Sequence, residues 1–283
     1  MNPVLAAARS GLQRGWIELR QTHSTATDLF TQYLWSVILL VVLYFMRDGH
    51  VQQTGIGLGS LALPGVLGMT VVSTGLLGIA QFLAVDREDG TLLRAKATPN
   101  GMVGYLIGKI TTSIGTVLLQ MVIMLIAGAA LLGGVHLTSV GAWLTLAWVF
   151  VLGMLASLPL GAIVGSVFES PRALAFISLP IMGMVGISGI FYPITSLPGW
   201  VQGVAQVFPI YWLGLGMRSA LLPGDAVVVE LGGSWRHWET LGVLGVWAAF
   251  GLSIAPIVLR RMARRESGSR VEARRAKALQ RAV

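Results

Sequence analysis

Long apolar runs dominate the chain, and short charged stretches separate them. Runs without a charged residue cover 29–46, 49–85, 110–168, 173–217 and 240–259. About 20 apolar residues cross the hydrocarbon core of a bilayer. A charged side chain at the centre of such a helix costs about 2.5–3.5 kcal/mol. The runs therefore predict membrane-spanning helices, and the charges between them mark where the spans end.

Two of the long runs contain internal loop signals. The polar, Gly-rich GHVQQTGIGLGS of residues 49–60 precedes one span, and GGVHLTSVG of residues 133–141 separates two others. The pattern then predicts six spans within residues 29–260, near 29–46, 61–85, 103–132, 142–167, 173–192 and 240–259. An even number of spans places both termini on one side of the membrane.

Residues 1–28 show a different pattern, with apolar positions at helical spacing among charged ones. The apolar positions are Leu5, Ala8, Leu12, Trp16 and Leu19. This spacing predicts an amphipathic helix instead of a cleavable signal peptide. We expect it to lie in the membrane interface before the first span. The alternative is a helix that packs on a soluble partner.

A proline-punctuated segment follows the predicted fifth span. Trp200, Val204 and Phe208 fit one face of a short helix. The outer re-entrant segment that we predict between spans five and six carries Pro193, Pro198, Trp200 and Pro209. Its helix is too short to cross the bilayer, so we expect it to dip into the outer leaflet. It serves either as an aromatic anchor at the interface or as an outer gate.

Composition supports an integral membrane protein. Of the 283 residues, 54% are hydrophobic and only 11% are charged, and the mean hydropathy is +0.75. Soluble domains carry about 25% charged residues. The chain has no cysteine, which excludes disulfides and thiolate metal sites, and no pair of histidines has metal-site spacing. The predicted fold is a single all-α polytopic membrane domain over residues 1–283, with no metal.

The distribution of Lys and Arg predicts the orientation. Most of them fall near the N-terminus, between spans two and three, and in a basic tail at 261–283. By the positive-inside rule these segments are cytoplasmic, as are both termini. We expect the tail to contact anionic membrane lipids. Nucleic acid is not an expected partner, because no folded domain or aromatic platform accompanies the charge.

The predicted spans have no ionisable group near their centres, where ion-coupled transporters usually carry one, so proton or sodium coupling is disfavoured. A nucleotide site is also missing from the sequence. Gly108 and Lys109 are followed by Ile110 instead of Ser or Thr, and the upstream glycine position of a phosphate-binding loop is Val103. Active transport by this chain would therefore need a separate ATPase.

Residues 86–99, DREDGTLLRAKATP, are suited to contact such an ATPase. The acids come first and the bases last, as the helix dipole favours, and Pro99 prevents continuation of the helix. Gly90 allows a turn after the second span, and Leu92 and Leu93 offer apolar contact. A helix of this length is marginal alone in water, which favours a docked element. The alternative is a solvated loop helix.

The same stretch resembles the cytoplasmic loop of type-2 ATP-binding-cassette (ABC) transporter permeases. The positions that match the family pattern are Arg87, Gly90, Thr91, Leu92, Thr98 and Pro99. Asp86 replaces the usual Glu, and Ala95 or Lys96 stands where leucine is common. A second matching element consists of Phe191, Pro193, Leu197, Pro198 and Trp200, followed by Pro209, Ile210, Tyr211 and Arg218. Among the branches, daunorubicin-resistance exporters are the most similar.

The resemblance implies the permease subunit of an ABC exporter in a bacterial plasma membrane. Two ATPase subunits would bind ATP and Mg, so this chain needs no cofactor of its own, and a second permease copy or a homologous permease would complete a dimer. The implied cargo is a drug, an antibiotic or a lipid-like molecule. The implied ATPase-coupling residues are Arg87, Glu88, Gly90, Thr91, Leu92, Arg94, Thr98 and Pro99.

Candidate residues for a substrate path lie on the second and fifth spans. Thr70, Ser73 and Thr74 share one face at helical spacing, and glycines recur every three residues on the fifth span. In the family these spans flank the cavity at the dimer interface. The residues that would line the path are Thr70, Ser73, Thr74, Met182, Met184 and Phe191. The alternative is close helix packing through small residues.

Two other functions compete with a permease. The GISG of residues 186–189 resembles the G-x-S-G of rhomboid intramembrane proteases, with Ser188 as nucleophile. That chemistry needs a histidine base, but no histidine lies within a predicted span. A passive channel or scaffold would need no ATPase and would leave the charged loop without a role.

Overall fold

The computed structural model describes residues 2–50, 55–133, 139–168, 170–265, 267–269 and 272. In this part of the chain the secondary structure is helical, without a β-strand, apart from one isolated bridge that pairs His50 with Gly57. Most of the tail predicted at 261–283, and most of the loop predicted at 133–141, lie outside the described residues.

Eleven α-helices form within the described residues. They are α1, Pro3–Thr22; α2, Ala26–Phe45; α3, Leu58–Val72; α4, Ile79–Glu88; α5, Thr91–Lys96; α6, Gly101–Leu132; α7, Val140–Val167; α8, Pro171–Ile187; α9, Gly199–Val207; α10, Pro209–Leu221; and α11, His237–Arg265. A π-helical segment, Ser73–Gly78, joins α3 to α4. Short 3₁₀ turns occupy Ile194–Ser196, Gly224–Val229 and Leu231–Gly233.

Five helices in the described residues are long and apolar enough to cross a membrane. They are Ala26–Phe45, Leu58–Glu88 (α3, the π-helical segment and α4 in one rod), Gly101–Leu132, Val140–Val167 and His237–Arg265. The prediction of a multi-pass helical membrane protein is therefore confirmed. The first four predicted spans and the last each correspond to one of these helices.

The predicted fifth span is shorter than expected. Helix α8 ends at Ile187 after 17 residues, about 25 Å at 1.5 Å per residue, although the apolar run continues. Ser188 donates a hydrogen bond to the carbonyl of Val185 at 2.8 Å, and Gly189 has a φ of +66°. These two residues turn the chain away from the helix axis, which hydropathy alone does not reveal.

Helix α1 packs against α6 through glycines. A Cβ on Gly11 would lie 2.4 Å from the carbonyl oxygen of Gly104, and one on Gly15 would lie 2.5 Å from that of Gly108. The backbones therefore touch, as in small-residue crossings of membrane helices. Of the apolar side chains that predicted α1, Leu12 and Trp16 are 53% and 52% exposed, whereas Leu19 is buried in the bundle. The helix ends at Thr22, short of the predicted residue 28.

We expect Gly11→Val to separate α1 from α6 and lower the melting temperature of the purified chain. The added methyl groups would overlap a backbone carbonyl that cannot move aside, and overpacking costs typically about 1–3 kcal/mol. The matched control is Gly242→Val in α11, where a Cβ meets no atom within 4 Å. Equal melting temperatures for the two variants would contradict the packing.

The segment after α8 contains two helices where one was predicted. Helix α9 runs between Pro198 and Pro209 as expected, and Trp200 on it is 75% exposed. The unexpected helix is α10, which is almost wholly buried against α3 and α7. A Cβ on Gly68 of α3 would lie 2.7 Å from the backbone nitrogen of Gly214. Close approach of the backbones thus holds α10 inside the bundle.

Arg218, which ends the second element that matches the family pattern, is one of the most deeply buried residues. It lies on α10 with 2% of its surface exposed. Its guanidinium donates to Glu230 at 2.5 and 3.3 Å and to the carbonyl of Gly189 at 3.3 Å. One side chain therefore joins α10, the end of α8 and the segment that leads to α11.

Candidate functional site

The loop helix α5 begins at a sharp turn. Gly90 has φ +80° and ψ 10°, a left-handed conformation that favours glycine. The Asp89 carboxylate accepts a hydrogen bond from the backbone N–H of Thr91 at 2.7 Å, which satisfies one free donor at the start of the helix. Arg94 donates to the Thr91 hydroxyl at 2.9 Å. The predicted helix after Gly90 is confirmed.

Two of the six charged residues in the stretch around α5 are buried. Asp86 and Arg87, expected before the loop helix begins, belong to the last turn of α4 and are 7% and 4% exposed. Arg87 donates to the carbonyls of Gly165 and Ser166 at 3.4 and 3.3 Å, the end of α7. Leu92, expected to offer outward contact, is 1% exposed and belongs to the main core.

Only some of the eight predicted coupling residues are exposed for contact with a partner. Arg94, Thr98 and Pro99 are exposed, and Glu88 and Thr91 are half-buried. Arg87, Gly90 and Leu92 are buried. The eight predicted coupling residues thus divide into an exposed surface and a buried base that joins this surface to α4, α6 and α7.

A buried ionic cluster underlies the loop helix. The Lys109 ammonium lies 3.1 Å from the Asp86 carboxylate and 3.2 Å from that of Glu18. Tyr105 donates to Asp86 at 2.7 Å, and Arg14 pairs with Glu18 at 3.0 Å. The cluster joins α1, α4 and α6. Sequence reasoning considered Lys109 only in the comparison with a phosphate-binding loop and missed its ion pairs, because its partners are distant along the chain.

The charges around Glu18 set its ionisation. Burial opposes the charged form, but Lys109 and then Arg14 outweigh it and hold the pKa of Glu18 below its usual value. A depressed pKa contributes stability above the unfolded-state pKa, and this contribution is lost as the pH falls through the folded-state value.

At pH values under about 4.5, acidification should lower the melting temperature of the purified chain. We expect this decrease to be less steep in Glu18→Gln than in the wild type. Asp48→Asn is the comparison, because that carboxylate lies at the surface with 85% of its side chain exposed. An identical acid response of Glu18→Gln and the wild type would show that Glu18 is not held ionised by the cluster.

A cavity of about 320 Å³ lies among α2, α3, the π-helical segment, α6 and α8. Four of the six predicted path residues line it, namely Thr70, Ser73, Thr74 and Met182. The π-helical segment begins at Ser73, and such segments are frequent at functional sites. The volume falls within the about 300–1,000 Å³ of small-molecule sites.

Gln120 of α6 gives the cavity a polar wall. Its amide donates to the Ser36 hydroxyl at 2.6 Å, and its carbonyl oxygen accepts from Thr74 at 3.3 Å. The network crosses α2, α6 and the π-helical segment at membrane depth. Sequence reasoning missed Gln120 and Ser36. A polar residue inside an apolar run was the signal that could have found them.

The other two path residues lie elsewhere. Met184 and Phe191 pack against the main hydrophobic core and do not line the cavity. Ser188, the protease candidate, is 2% exposed. Among the described residues no histidine hydrogen-bonds to it; His23, for example, bonds to Tyr33 and to the Leu19 carbonyl. The arrangement lacks the serine–base contact that nucleophilic catalysis requires.

The fold and the site define a multi-pass helical membrane protein with a polar-walled cavity among its spans and a partly exposed loop helix. A family model described as ABC-2 family transporter protein matches residues 45–256, well over half of the chain. The chain belongs to this family. It is thus a membrane subunit of an ABC transporter, a class whose ATPase is a separate component. A search of curated proteins found no match.

Proposed function

We propose that this chain is the permease subunit of an ATP-driven exporter that moves an amphipathic or hydrophobic molecule outward. The observation that carries the proposal is the loop helix α5, which carries the exposed Arg94 and is followed by the exposed Pro99. The buried residues beneath it belong to or contact three spanning helices. An ATPase pressing on such a helix would move α4, α6 and α7 together. Arg87 and Leu92 then serve as positioning residues for the contact surface.

The cavity supports the choice of substrate class. Its wall combines apolar side chains such as Trp35, Leu77 and Met182 with the hydroxyls of Ser73 and Thr74. Apolar surface with a few polar groups suits an amphipathic molecule, and methionine adapts to varied shapes. A drug, an antibiotic or a lipid-like molecule meets this description, as in the daunorubicin-resistance branch and multidrug efflux.

The assembly that we propose contains two permease copies and two ATPase subunits in a bacterial plasma membrane. The exposed face of α8, with Phe176 76% and Leu179 67% exposed, is the surface assigned to the second copy. ATP and Mg would bind to the ATPases. Both termini, α5 and the basic end of α11 would face the cytoplasm.

We assign the outer re-entrant segment to the extracellular side of the membrane, opposite α5 and the two termini. Pro193 precedes the turn Ile194–Ser196, Pro198 caps α9, and Pro209 begins α10. The exposed Trp200 would anchor α9 in the outer leaflet, while the buried α10 holds this segment to the bundle. A substrate that leaves the cavity would pass the end of α8.

The test is reconstitution of the full chain with its cognate ATPase into lipid vesicles. ATP should drive accumulation of a fluorescent hydrophobic amine, and the chain alone should show neither transport nor ATP hydrolysis. Gln120→Leu should weaken stimulation of ATP hydrolysis by that amine while the basal rate persists. Transport by the chain without an ATPase would refute the proposal.

A further inference from the structure

A second, larger cavity lies nearer the end of α6 that carries Lys109. It has a volume of about 450 Å³ and is a groove between α6 and α11, with α4 and α7 at its base. Its lining is apolar, with Leu106, Leu158 and Leu259 among the residues that form the walls. The groove follows the crossing of α11 over α7, where a Cβ on Gly251 would lie 2.9 Å from Pro159.

The charged residues that line this groove are both cations, Lys109 and Arg260. The charge of Lys109 is compensated by Asp86 and Glu18. Arg260 is exposed, and among the described residues its guanidinium has no hydrogen-bond or ion-pair partner. An apolar groove between spanning helices therefore ends at a cation with no acidic partner in the part of the chain that the structure describes.

We propose that this groove binds one membrane phospholipid with an anionic headgroup. An acyl chain would lie along Leu106 and Leu259, and the headgroup phosphate would accept hydrogen bonds from Arg260. The apolar walls match hydrocarbon, and the guanidinium matches phosphate oxygens in shape and charge. The groove is separate from the cavity at Thr74 and Gln120, so lipid and cargo occupy different sites.

The position of the groove connects the lipid to the loop helix. Helix α11 contacts α5. The groove lining also includes Tyr105 and Lys109, which belong to the ionic cluster beneath α5. A bound lipid would fill the space between α6 and α11 and stabilise the packing of the buried residues that join α5 to α4, α6 and α7.

The test measures lipid retention by the purified full chain in detergent micelles. Native mass spectrometry would compare dioleoyl phosphatidylglycerol with dioleoyl phosphatidylcholine, which share their acyl chains and differ in net charge. We expect the wild type to retain the anionic lipid about fivefold more strongly, the effect of about one cation near a membrane surface. Arg260→Gln should remove this preference.

Arg261→Gln is the matched control, because Arg261 is the next residue of α11 and does not line the groove. It should keep the preference. Ala263→Phe, at a half-buried position in the lining, should block the groove and reduce retention of both lipids. Equal losses in Arg260→Gln and Arg261→Gln would show diffuse attraction to a basic helix end and overturn the site. Undiminished retention in Ala263→Phe would also overturn it.

Discussion

Reversing the charge of Arg94 should abolish substrate-stimulated ATP hydrolysis by the assembled transporter. The guanidinium lies on the exposed face of α5 and donates to Thr91. In the contact that we propose, the ATPase surface accepts this cation, and a glutamate would place a negative charge against it, which costs several kcal/mol. A loss of about 1.4 kcal/mol of binding free energy lowers the affinity of the contact tenfold. We therefore expect at least a tenfold drop in stimulated ATP hydrolysis.

Three comparisons make the Arg94→Glu result specific. Arg9→Glu reverses an exposed charge on α1 and should leave stimulation near the wild-type level. Arg94→Lys retains the charge and should keep most of the activity. Leu92→Pro should instead lower the amount of folded protein, because Leu92 is buried in the core. Wild-type stimulation by folded Arg94→Glu would remove α5 as the contact.

Replacing Arg218 with Met should cause the largest loss of stability among single substitutions outside the loop. The change would leave the Glu230 carboxylate, 5% exposed, without its ionic partner. Removing one member of a buried ion pair costs about 3–5 kcal/mol. We expect the melting temperature in micelles to fall by on the order of 10 °C.

Two variants test the origin of the Arg218 effect. The double change Arg218→Met with Glu230→Gln should recover much of the loss, because no unpaired charge remains buried. Arg47→Met breaks a surface pair whose side chains are 42% and 85% exposed and should cost under about 1 kcal/mol. A single Arg218→Met variant as stable as Arg47→Met would show that the buried pair contributes little.

The long helices could be predicted from sequence because hydropathy reports burial in lipid directly. Leu58–Glu88, Gly101–Leu132 and Val140–Val167 correspond to predicted spans for this reason. Helix α10 could not be separated from its surroundings in the same way. The run at 173–217 contains no charged residue, so hydropathy does not distinguish an outer segment from a buried helix there. That difference depends on glycine contacts such as that of Gly68 with Gly214.

Only part of the candidate site could be predicted from the sequence. Spacing identified Gly90, Thr91 and Arg94 as a loop helix, and it placed Thr70, Ser73 and Thr74 on one face. It could not show that Leu92 turns inward, because the periodicity of a six-residue helix leaves its buried face undefined. The side chain of Gln120 reaches Thr74, 46 residues earlier in the chain, and no local pattern reports such a contact.

The amino-acid sequence alone determined that this protein crosses a membrane repeatedly, carries a charged loop helix between two spans and resembles the ABC-2 family. Those properties follow from local transfer energies and short motifs. The tertiary structure decided which charges are buried, how α1 docks on α6 and where the two cavities lie. Each of these depends on which distant side chains meet when the helices pack, and close approach at single glycines determines that packing.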